Sequence, residues 1–284
     1  MLSKHEQTRP DSGPAFQIDG VDIVAEGDGA HAVLLVHGWP DSYRLWDPLV
    51  AHLLAAFPGA LRCVRFTLPG FDLPAPPRPR SFGELAALVA AVADRVSPDR
   101  PVTLVLHDWG CVFGYEFAAR HPGRVARIVA VDIGDHNAPE LVRSLGLRAK
   151  LMVAAYQLWL VLAWRLGRLG AAAPADWMTR FMARLAGSRR PPQQLGWPMN
   201  YPYDVQWTGS HGGPRVAPVA PACPVLYIYG RRKPFQFQSP QWLARLAGRP
   251  GCRVQPFATG HWPMLEQPDA FNRCVSDWLG ATPV

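Results

Sequence analysis

The segment VLHDWGCVFGYEFA at residues 105–118 decides the fold, because it joins a predicted strand to a predicted helix through the short sequence HDWG. The apolar run VTLVL (102–106) predicts the strand, and the residues after Gly110 predict a helix that ends near His121. A strand-to-helix turn of this kind, the nucleophile elbow, presents one side chain at the carboxyl edge of a sheet, usually Ser within GxSxG. Here Asp108 has that place, and GxSxG occurs nowhere in the chain.

Asp108 is therefore the candidate nucleophile. A carboxylate attacks an sp3 carbon and forms an alkyl ester, which water can then hydrolyse. The alternative is an aspartate that only caps the following helix. Two loops elsewhere in the chain have the residues that such catalysis needs, and they favour the nucleophile.

The first loop is VHGWPDS (36–42), which directly follows the apolar run AVLLV (32–36). In folds with a nucleophile elbow, the backbone N–H after HG and the N–H after the nucleophile form an oxyanion hole. We expect these donors to be the amides of Trp39 and Trp109. His37, in the same loop, is a candidate substrate-binding residue; the alternative is that HG is only a tight turn.

The second loop is ATGHWPML (258–265), between the last predicted strand and the last predicted helix. His261 lies there beside a glycine and is the predicted general base for the water that attacks the ester. Its neighbour Trp262 is a second candidate substrate-binding residue. An isolated histidine is more often structural, but none of the other eight histidines has this placement.

Short apolar runs alternate with helix-like segments on both sides of the HDWG motif. The predicted strands are residues 32–36, 62–68, 102–106, 127–133, 224–230 and 252–257. Helices are predicted over residues 43–55 and 82–96, between the last two strands, and from about 265 to 279. Continuous apolar strands separated by helices predict an α/β fold with a mostly parallel, doubly wound sheet that is covered on both faces.

Between residues 135 and 221 this alternation stops, and helix-like segments rich in Leu, Trp, Ala and Arg replace it. We expect this helical insertion to lie as a cap over the carboxyl edge of the sheet, where open α/β folds place their ligands. The predicted organisation is a core of residues 20–134 and 222–284, the insertion of residues 135–221, and an N-terminal extension of residues 1–19.

These motifs resemble the α/β-hydrolase superfamily, and within it the epoxide hydrolase and haloalkane dehalogenase branch, whose nucleophile is the Asp of an (H/Q)DWG motif. The resemblance extends over about residues 20–134 and 222–280, and it implies an α/β-hydrolase fold with an inserted helical cap. It also implies an alkyl ester on Asp108 and no metal or organic cofactor.

The HGWP motif is similar to that of epoxide hydrolases, whereas many haloalkane dehalogenases have a halide-binding Asn at the position of Trp39. The resemblance therefore favours conversion of a hydrophobic epoxide to a diol, with haloalkane dehalogenation as the alternative.

The acid that supports His261 departs from the common pattern of this branch. Many members carry it in a GxxD turn after the seventh strand, where this chain has Lys233. A lysine there would disfavour an imidazolium if it faced His261. Other members supply the acid after the sixth strand, where VAVDIGDH (129–136) offers Asp132 and Asp135. Asp132 is the predicted acid and Asp135 the alternative; a chain that has lost its acid would be a non-catalytic, membrane-associated α/β-hydrolase-like protein.

Epoxide opening also needs a proton donor, and in the family two cap tyrosines polarise the ring oxygen. Tyr156 lies in AAYQLWL, which resembles the YQLYF segment that carries one of them. The segment NYPYDVQW offers Tyr203 or Tyr201 as the second. The alternative is that all three tyrosines only pack within the insertion.

The chain has 284 residues, of which 49% are hydrophobic and 18% charged, and its formal net charge is +7. This composition is typical of a globular protein. Between residues 143 and 190 the chain has one acid, Asp176, and nine basic residues: Arg143, Arg148, Lys150, Arg165, Arg168, Arg180, Arg184, Arg189 and Arg190. This charge and the apolar residues around it fit peripheral contact with an anionic membrane or an apolar substrate tunnel. The alternative is a helix packed on the core with solvated arginines. No nucleic-acid-binding motif occurs, so no nucleic-acid partner is expected.

The cysteines and the N-terminal sequence indicate the cellular compartment of the protein. The five cysteines have no CxxC spacing, which favours free thiols over disulfides or a metal site. No apolar segment typical of a secretory signal occurs in the first twenty residues, and the apolar stretch 151–164 is shorter than the roughly 20 residues of a membrane span. The sequence predicts a cytoplasmic protein, with peripheral contact at the membrane as an option.

Overall fold

The structure, a computed structural model, describes residues 15–213 and 216–282. Within them one sheet contains eight strands: β1 (Phe16–Ile18), β2 (Val21–Glu26), β3 (His31–Val36), β4 (Leu61–Phe66), β5 (Val102–His107), β6 (Val125–Val131), β7 (Val225–Gly230) and β8 (Arg253–Phe257). The strand order is β1-β2-β4-β3-β5-β6-β7-β8. Strand β2 is antiparallel to both neighbours, and all pairs from β4 to β8 are parallel. The mostly parallel sheet that the sequence predicts is confirmed.

The helices of the described residues follow the strands in the predicted rhythm. They are α1 (Asp47–Ala56), α2 (Phe82–Val96), α3 (Trp109–Arg120), α4 (Pro139–Ser144), α5 (Leu147–Arg168), α6 (Ala172–Ala186), α7 (Tyr201–Thr208), α8 (Pro240–Ala247), α9 (Pro263–Glu266) and α10 (Pro268–Ala281). The last predicted helix is divided into α9 and α10, because Pro268 has no backbone N–H to continue the first.

Two apolar cores lie on opposite faces of the sheet. Leu34 of β3 belongs to the core that contains residues of α2, α3 and α8, whereas Val33 and Leu35 belong to the core with residues of α1 and α10. Successive side chains of a strand point to opposite faces, so a strand between two helical layers must be apolar throughout. That is why HAVLLV reads as a continuous apolar run after its first residue.

The N-terminal edge of the sheet differs from the expected domain boundary. Strand β1 begins at Phe16, inside the segment 1–19 that the sequence assigns to an extension, and it pairs with β2. The sequence also gives no strand for β2, because the signal in VDIVAE is short and only Val21, Ile23 and Val24 are buried. The sheet therefore starts before residue 20.

Helices α4 to α7 all lie between β6 and β7, within the helical insertion of residues 135–221. Helix α5 packs on α6 and on α7. The Trp159 indole donates a hydrogen bond to the carbonyl oxygen of Met178 at 3.0 Å, and Arg165 forms an ion pair of 2.7 Å with Asp204. In the part of the chain that the structure describes, no helix has both the length and the apolarity to cross a membrane.

Candidate active site

The turn after β5 holds Asp108 in a backbone conformation that L-residues rarely adopt. Its φ is 52° and its ψ is −123°, and its side chain accepts no capping hydrogen bond from helix α3. Asp108 thus does not serve as a helix cap. Strained backbone at a strand-to-helix junction is typical of a nucleophile elbow.

Two glycines allow the elbow to form. A Cβ on Gly38 would lie 2.4 Å from the Cβ of Asp108, so only glycine lets the HGWP loop approach the nucleophile this closely. A Cβ on Gly114 would lie 2.4 Å from the Leu106 side chain. Gly114 therefore makes the room that the bulky Leu106, two residues before the nucleophile, needs.

Three side chains from separate loops meet at the carboxyl edge of the sheet. His261 Nε2 lies 3.4 Å from Asp108 Oδ2, and His261 Nδ1 lies 2.5 Å from Asp132 Oδ2. Asp132 is fully buried, and its Oδ1 accepts a hydrogen bond of 2.9 Å from the Gly230 N–H. The structure thus brings together the predicted nucleophile, base and acid in the geometry of a catalytic triad.

The alternative acid, Asp135, does not face His261. Its two carboxylate oxygens accept hydrogen bonds from the Ser239 N–H, at 2.6 Å, and from the Ser239 hydroxyl, at 2.5 Å. Asp135 therefore joins β6 to the start of α8 and has no part in the triad.

Lys233 makes a contact that the sequence does not predict. Its Nζ lies 2.7 Å from Asp132 Oδ2, the same oxygen that contacts His261 Nδ1. The lysine is buried and also lies over the ring of Phe237, with 6.0 Å from Nζ to the ring centroid. The residue at the usual acid position thus forms an ion pair with the predicted acid, beside the predicted base.

The charges of the triad are strongly coupled. Burial by itself would lower the pKa of His261, but hydrogen bonds to Asp108 and Asp132 outweigh it and raise this pKa to about 9. Burial would raise the pKa of Asp132, but the charge of Lys233 and the hydrogen bond from His261 lower it to about 2. Contacts with His261 likewise outweigh burial and lower the pKa of Asp108. At neutral pH the resting site therefore contains two carboxylates and an imidazolium.

The predicted oxyanion donors lie at the nucleophile. The Trp39 N–H donates a hydrogen bond of 2.7 Å to Asp108 Oδ1. A hydrogen bond from the Trp109 backbone N–H contributes to the low pKa of the same carboxyl group. Oδ1 thus accepts the Trp39 N–H, and Oδ2 faces His261.

A cavity of about 170 Å³ opens onto Asp108. Val112, Ile133, Leu141, Leu145 and Val153 form much of its apolar wall, and these residues come from both the core and the insertion. Burial and the Asp108 charge would each oppose a second anion in this space. The cavity therefore favours an uncharged, apolar substrate.

Tyr156 and Tyr203 both line this cavity, with their ring centroids 6.1 Å apart. Burial raises the pKa of each hydroxyl above its usual value, so both stay protonated. Tyr201 is not part of the cavity: its ring packs on Phe71 and Trp164 in the core. The structure therefore selects Tyr203 over Tyr201.

The two predicted substrate-binding residues do not line the cavity. His37 is buried, its Nδ1 bonds with the Gly38 carbonyl oxygen at 2.8 Å, and its Nε2 accepts the Leu68 N–H at 2.9 Å. Burial lowers the pKa of His37 to about 3, so it is a neutral residue that fixes the HGWP loop. The Trp262 indole donates to Asp41 Oδ2 at 2.8 Å. Both side chains are buried behind the catalytic loops, and their part in substrate binding stays a prediction.

Sequence reasoning missed two residues near the site. Asn200 accepts the indole N–H of Trp39 at 2.9 Å and donates to the Thr179 hydroxyl at 2.7 Å, so it fixes the Trp39 side chain. His136 lines the cavity, and neither of its ring nitrogens has a hydrogen-bond partner among the described residues. The segment VDIGDH could have shown His136 as a neighbour of the triad acid; no sequence signal marks Asn200.

Among residues 15–213 and 216–282, no group of three or more His, Cys, Asp or Glu side chains is placed to hold a metal ion. The described residues place a buried carboxylate beside an imidazole, with two tyrosines at an apolar cavity next to the carboxylate. Groups of these kinds are able to act as a nucleophile, a base and proton donors.

Comparison with known proteins shows the family of the chain. The sequence model of the Alpha/beta hydrolase family matches residues 33–273. The chain belongs to this family. Similar structures include epoxide hydrolase A from Mycobacterium thermoresistibile, with a TM-score of 0.66 and 19% identity, covering 96% of this chain and 99% of that one. At this identity the likeness concerns the fold alone.

Curated relatives share a segment of about 110 to 120 residues with this alpha/beta hydrolase. Probable oxidoreductase EphD of Mycobacterium tuberculosis is 36% identical over 118 residues, which are 39% of this chain and 19% of that protein. Epoxide hydrolase srdG of Neurospora crassa is 33% identical over 38% of this chain and 32% of its own length. A haloalkane dehalogenase of Mycolicibacterium smegmatis is 34% identical over 38% and 34%. The matches thus span about a fifth to two fifths of the length of the curated relatives.

Proposed function

We propose that this alpha/beta hydrolase is an epoxide hydrolase that opens a hydrophobic epoxide through a covalent ester on Asp108. One observation carries the proposal: Asp108, Tyr156 and Tyr203 line the same apolar cavity, and burial keeps both tyrosine hydroxyls protonated. A nucleophile and acids on one cavity are what ring opening of an uncharged ether needs. The sequence similarity to an epoxide hydrolase also supports it.

In the first step Oδ2 of Asp108 attacks a ring carbon of the epoxide. The C–O bond of the ring breaks, and its electron pair passes to the oxygen, which takes a proton from Tyr156 or Tyr203. The low pKa of Asp108 keeps the nucleophile ionised, and the high pKa of each tyrosine keeps the donor protonated. Trp39 holds Oδ1, which becomes the carbonyl oxygen of the ester.

In the second step water hydrolyses the ester. Esterification removes the charge of Asp108, so the pKa of His261 falls and the imidazole can accept a proton from water. The water oxygen attacks Cγ of Asp108, and the amides of Trp39 and Trp109 stabilise the oxyanion on Oδ1. Collapse of this intermediate expels the diol oxygen, which takes the proton from His261, while Asp132 stabilises the imidazolium in between. Asp108 is regenerated as a carboxylic acid, and its proton returns to the tyrosinate that ring opening left, which restores the ionised nucleophile and the protonated donor.

One observation favours haloalkane dehalogenation as a second candidate. The Trp109 indole N–H is buried at the cavity and has no hydrogen-bond acceptor of good geometry among the described residues, so it is a donor that a halide can use. The Trp39 indole, in contrast, already donates to Asn200. With only one of the two tryptophan donors available, a leaving halide would be less well stabilised than a leaving alkoxide beside two tyrosines.

The test is turnover of a mixed panel of epoxides and haloalkanes by the purified chain. We expect diol formation from apolar epoxides and its loss in Asp108→Ala, while Asp269→Ala, a change at an exposed aspartate of α10, keeps it. Halide release from bromoalkanes without diol formation would replace the proposal by dehalogenation. If no member of the panel is turned over, the result would support the alternative of a non-catalytic, membrane-associated α/β-hydrolase-like protein.

A further inference from the structure

The exposed apolar side chains of this protein are not spread over its surface. In the described residues, every large apolar side chain that is exposed lies between Val142 and Trp207, within the helical insertion. The hydrolase core, which is more than twice as long, contributes none. Concentrated exposed apolar surface marks an interaction site more often than scattered residues do.

On helix α5 these residues form one stripe. Leu147, Leu151, Leu158, Leu162 and Leu169, the last just after the helix, follow one another at spacings of 4, 7, 4 and 7 residues. At 3.6 residues per turn these spacings place the five side chains within about 60° around the helix axis. Leu147 and Leu169 are 73% and 83% exposed, so the stripe faces outward along the whole helix.

Helix α6 extends this stripe sideways. Trp177, Phe181 and Leu185 are exposed and four residues apart, so they lie on one side of α6. The ring of Trp159 on α5 lies 6.1 Å from Trp177 and 5.8 Å from Phe181, which joins the two helices into one surface. We call the outward sides of α5 and α6 with these side chains the insertion face.

Basic residues border the insertion face. Arg148, Lys150 and Arg184 are exposed and form no ion pair with any residue that the structure describes, and the same is true of Arg143 on α4. Arg165 lies within the α5 stripe, but its charge is compensated by Asp204 at 2.7 Å. An apolar stripe with uncompensated cations along its edges has the charge pattern of a helix that lies in a lipid interface.

We propose that the insertion face docks on an anionic lipid bilayer and that the hydrolase takes its substrate from that membrane. Apolar side chains would enter the acyl boundary, while the arginines and the lysine contact lipid phosphates. A second copy of this chain is a poorer occupant, because two such faces would bring like charges together. Nucleic acid is also a poorer occupant, because it would leave the exposed leucines without an apolar partner.

The position of the active site fits this orientation. Val142 is 55% exposed next to the insertion face and also lines the cavity that contains Asp108. With the insertion face on a bilayer, Val142 would mark the side from which an apolar substrate reaches Asp108. This second half of the inference rests on the proposed epoxide hydrolase function; the docking itself does not.

The test is co-sedimentation of the full chain with vesicles of phosphatidylcholine alone or with 30% phosphatidylglycerol. We expect binding to the anionic vesicles that weakens with added salt and is far weaker on the neutral ones. Each cation near an anionic surface contributes about fivefold to the partition coefficient, so Arg148→Glu with Lys150→Glu should lower it by at least about 25-fold. Leu158→Ser with Leu162→Ser should also abolish most of the binding.

The matched control is Arg245→Glu with Arg273→Glu, which reverses two exposed charges on α8 and α10 and should keep binding near the wild-type level. Equal binding to both vesicle types, or an equal loss in this control, would overturn the proposal. A wild-type dimer in sedimentation velocity that the Leu158 and Leu162 changes dissociate, without vesicle binding, would assign the face to self-association.

Failure of the docking and failure of the proposed catalysis are distinguishable. Asp108→Ala should bind vesicles like the wild type even if no epoxide is turned over. The Arg148 and Lys150 variant should keep its activity on an epoxide dissolved in water, and it should lose activity only on an epoxide that is embedded in anionic vesicles.

Discussion

Lys233 gives the sharpest prediction, because it replaces an acid with a cation beside the catalytic base. Lys233 Nζ and His261 Nδ1 contact the same oxygen of Asp132, at 2.7 and 2.5 Å, so the two groups lie within about 5 Å of each other. At an effective dielectric constant of about 20, two unit charges at about 5 Å repel each other by about 3 kcal/mol, equivalent to about 2 pKa units. We therefore expect Lys233 to keep the pKa of His261 below the value that Asp132 alone would give it.

The perturbation is Lys233→Met, which keeps the length of the side chain and removes its charge. In the ester intermediate His261 must be neutral to accept a proton, so the hydrolysis step fails below its pKa. Removing the repulsion raises that pKa, and the acidic limb of the pH profile should move to higher pH by about 1 to 2 units. Formation of the ester depends on ionised Asp108 and should keep its pH profile.

Pre-steady-state tryptophan fluorescence can separate the two steps, since Trp39 and Trp109 flank the nucleophile. Lys233→Arg retains the charge and should leave the acidic limb of ester hydrolysis in place. Circular dichroism establishes that each variant is folded, which separates the shift from a loss of structure. An acidic limb that stays unchanged in Lys233→Met, or moves to lower pH, would refute the electrostatic reasoning.

Two further predictions concern the proton donors and the acid. Tyr156→Phe and Tyr203→Phe should each slow epoxide opening by about 10²- to 10⁴-fold, whereas Tyr201→Phe should not, because only the first two tyrosines line the cavity; single-turnover rates check this. Asp132→Ala should lower the rate of ester hydrolysis by about 10³- to 10⁴-fold. Asp135→Ala should instead keep that rate and lower the free energy of unfolding by about 1–3 kcal/mol in urea titrations, because Ser239 loses its acceptors. A catalytic defect in Asp135→Ala as large as that in Asp132→Ala would contradict the assignment of the acid.

The sequence predicts the parts of this fold that depend on local patterns. Strands buried on both faces appear as apolar runs, and the turn between β5 and α3 is marked by HDWG, so the sheet and the position of Asp108 follow from short segments. The placement of His261 and Asp132 follows from the edge at which parallel strands end. All of these features concern the path of the backbone.

The directions of side chains in the loops could not be predicted in the same way. His37 lies in the predicted catalytic loop, yet it points into the core because the Leu68 N–H offers it a partner there. Lys233 turns toward Asp132 rather than toward solvent, because a buried carboxylate needs compensation beyond one histidine. Both outcomes depend on partners more than 30 residues away, which no local pattern records.

The proposed function requires that Asp108 forms a covalent ester and that His261 is needed to hydrolyse it. Its most direct test is mass spectrometry of the His261→Phe variant after incubation with apolar epoxides, followed by proteolysis to locate the modified residue. We expect a stable adduct, with the mass of the intact epoxide added, on the peptide that contains Asp108. An unmodified Asp108 with every epoxide, or an adduct on another residue, would contradict it.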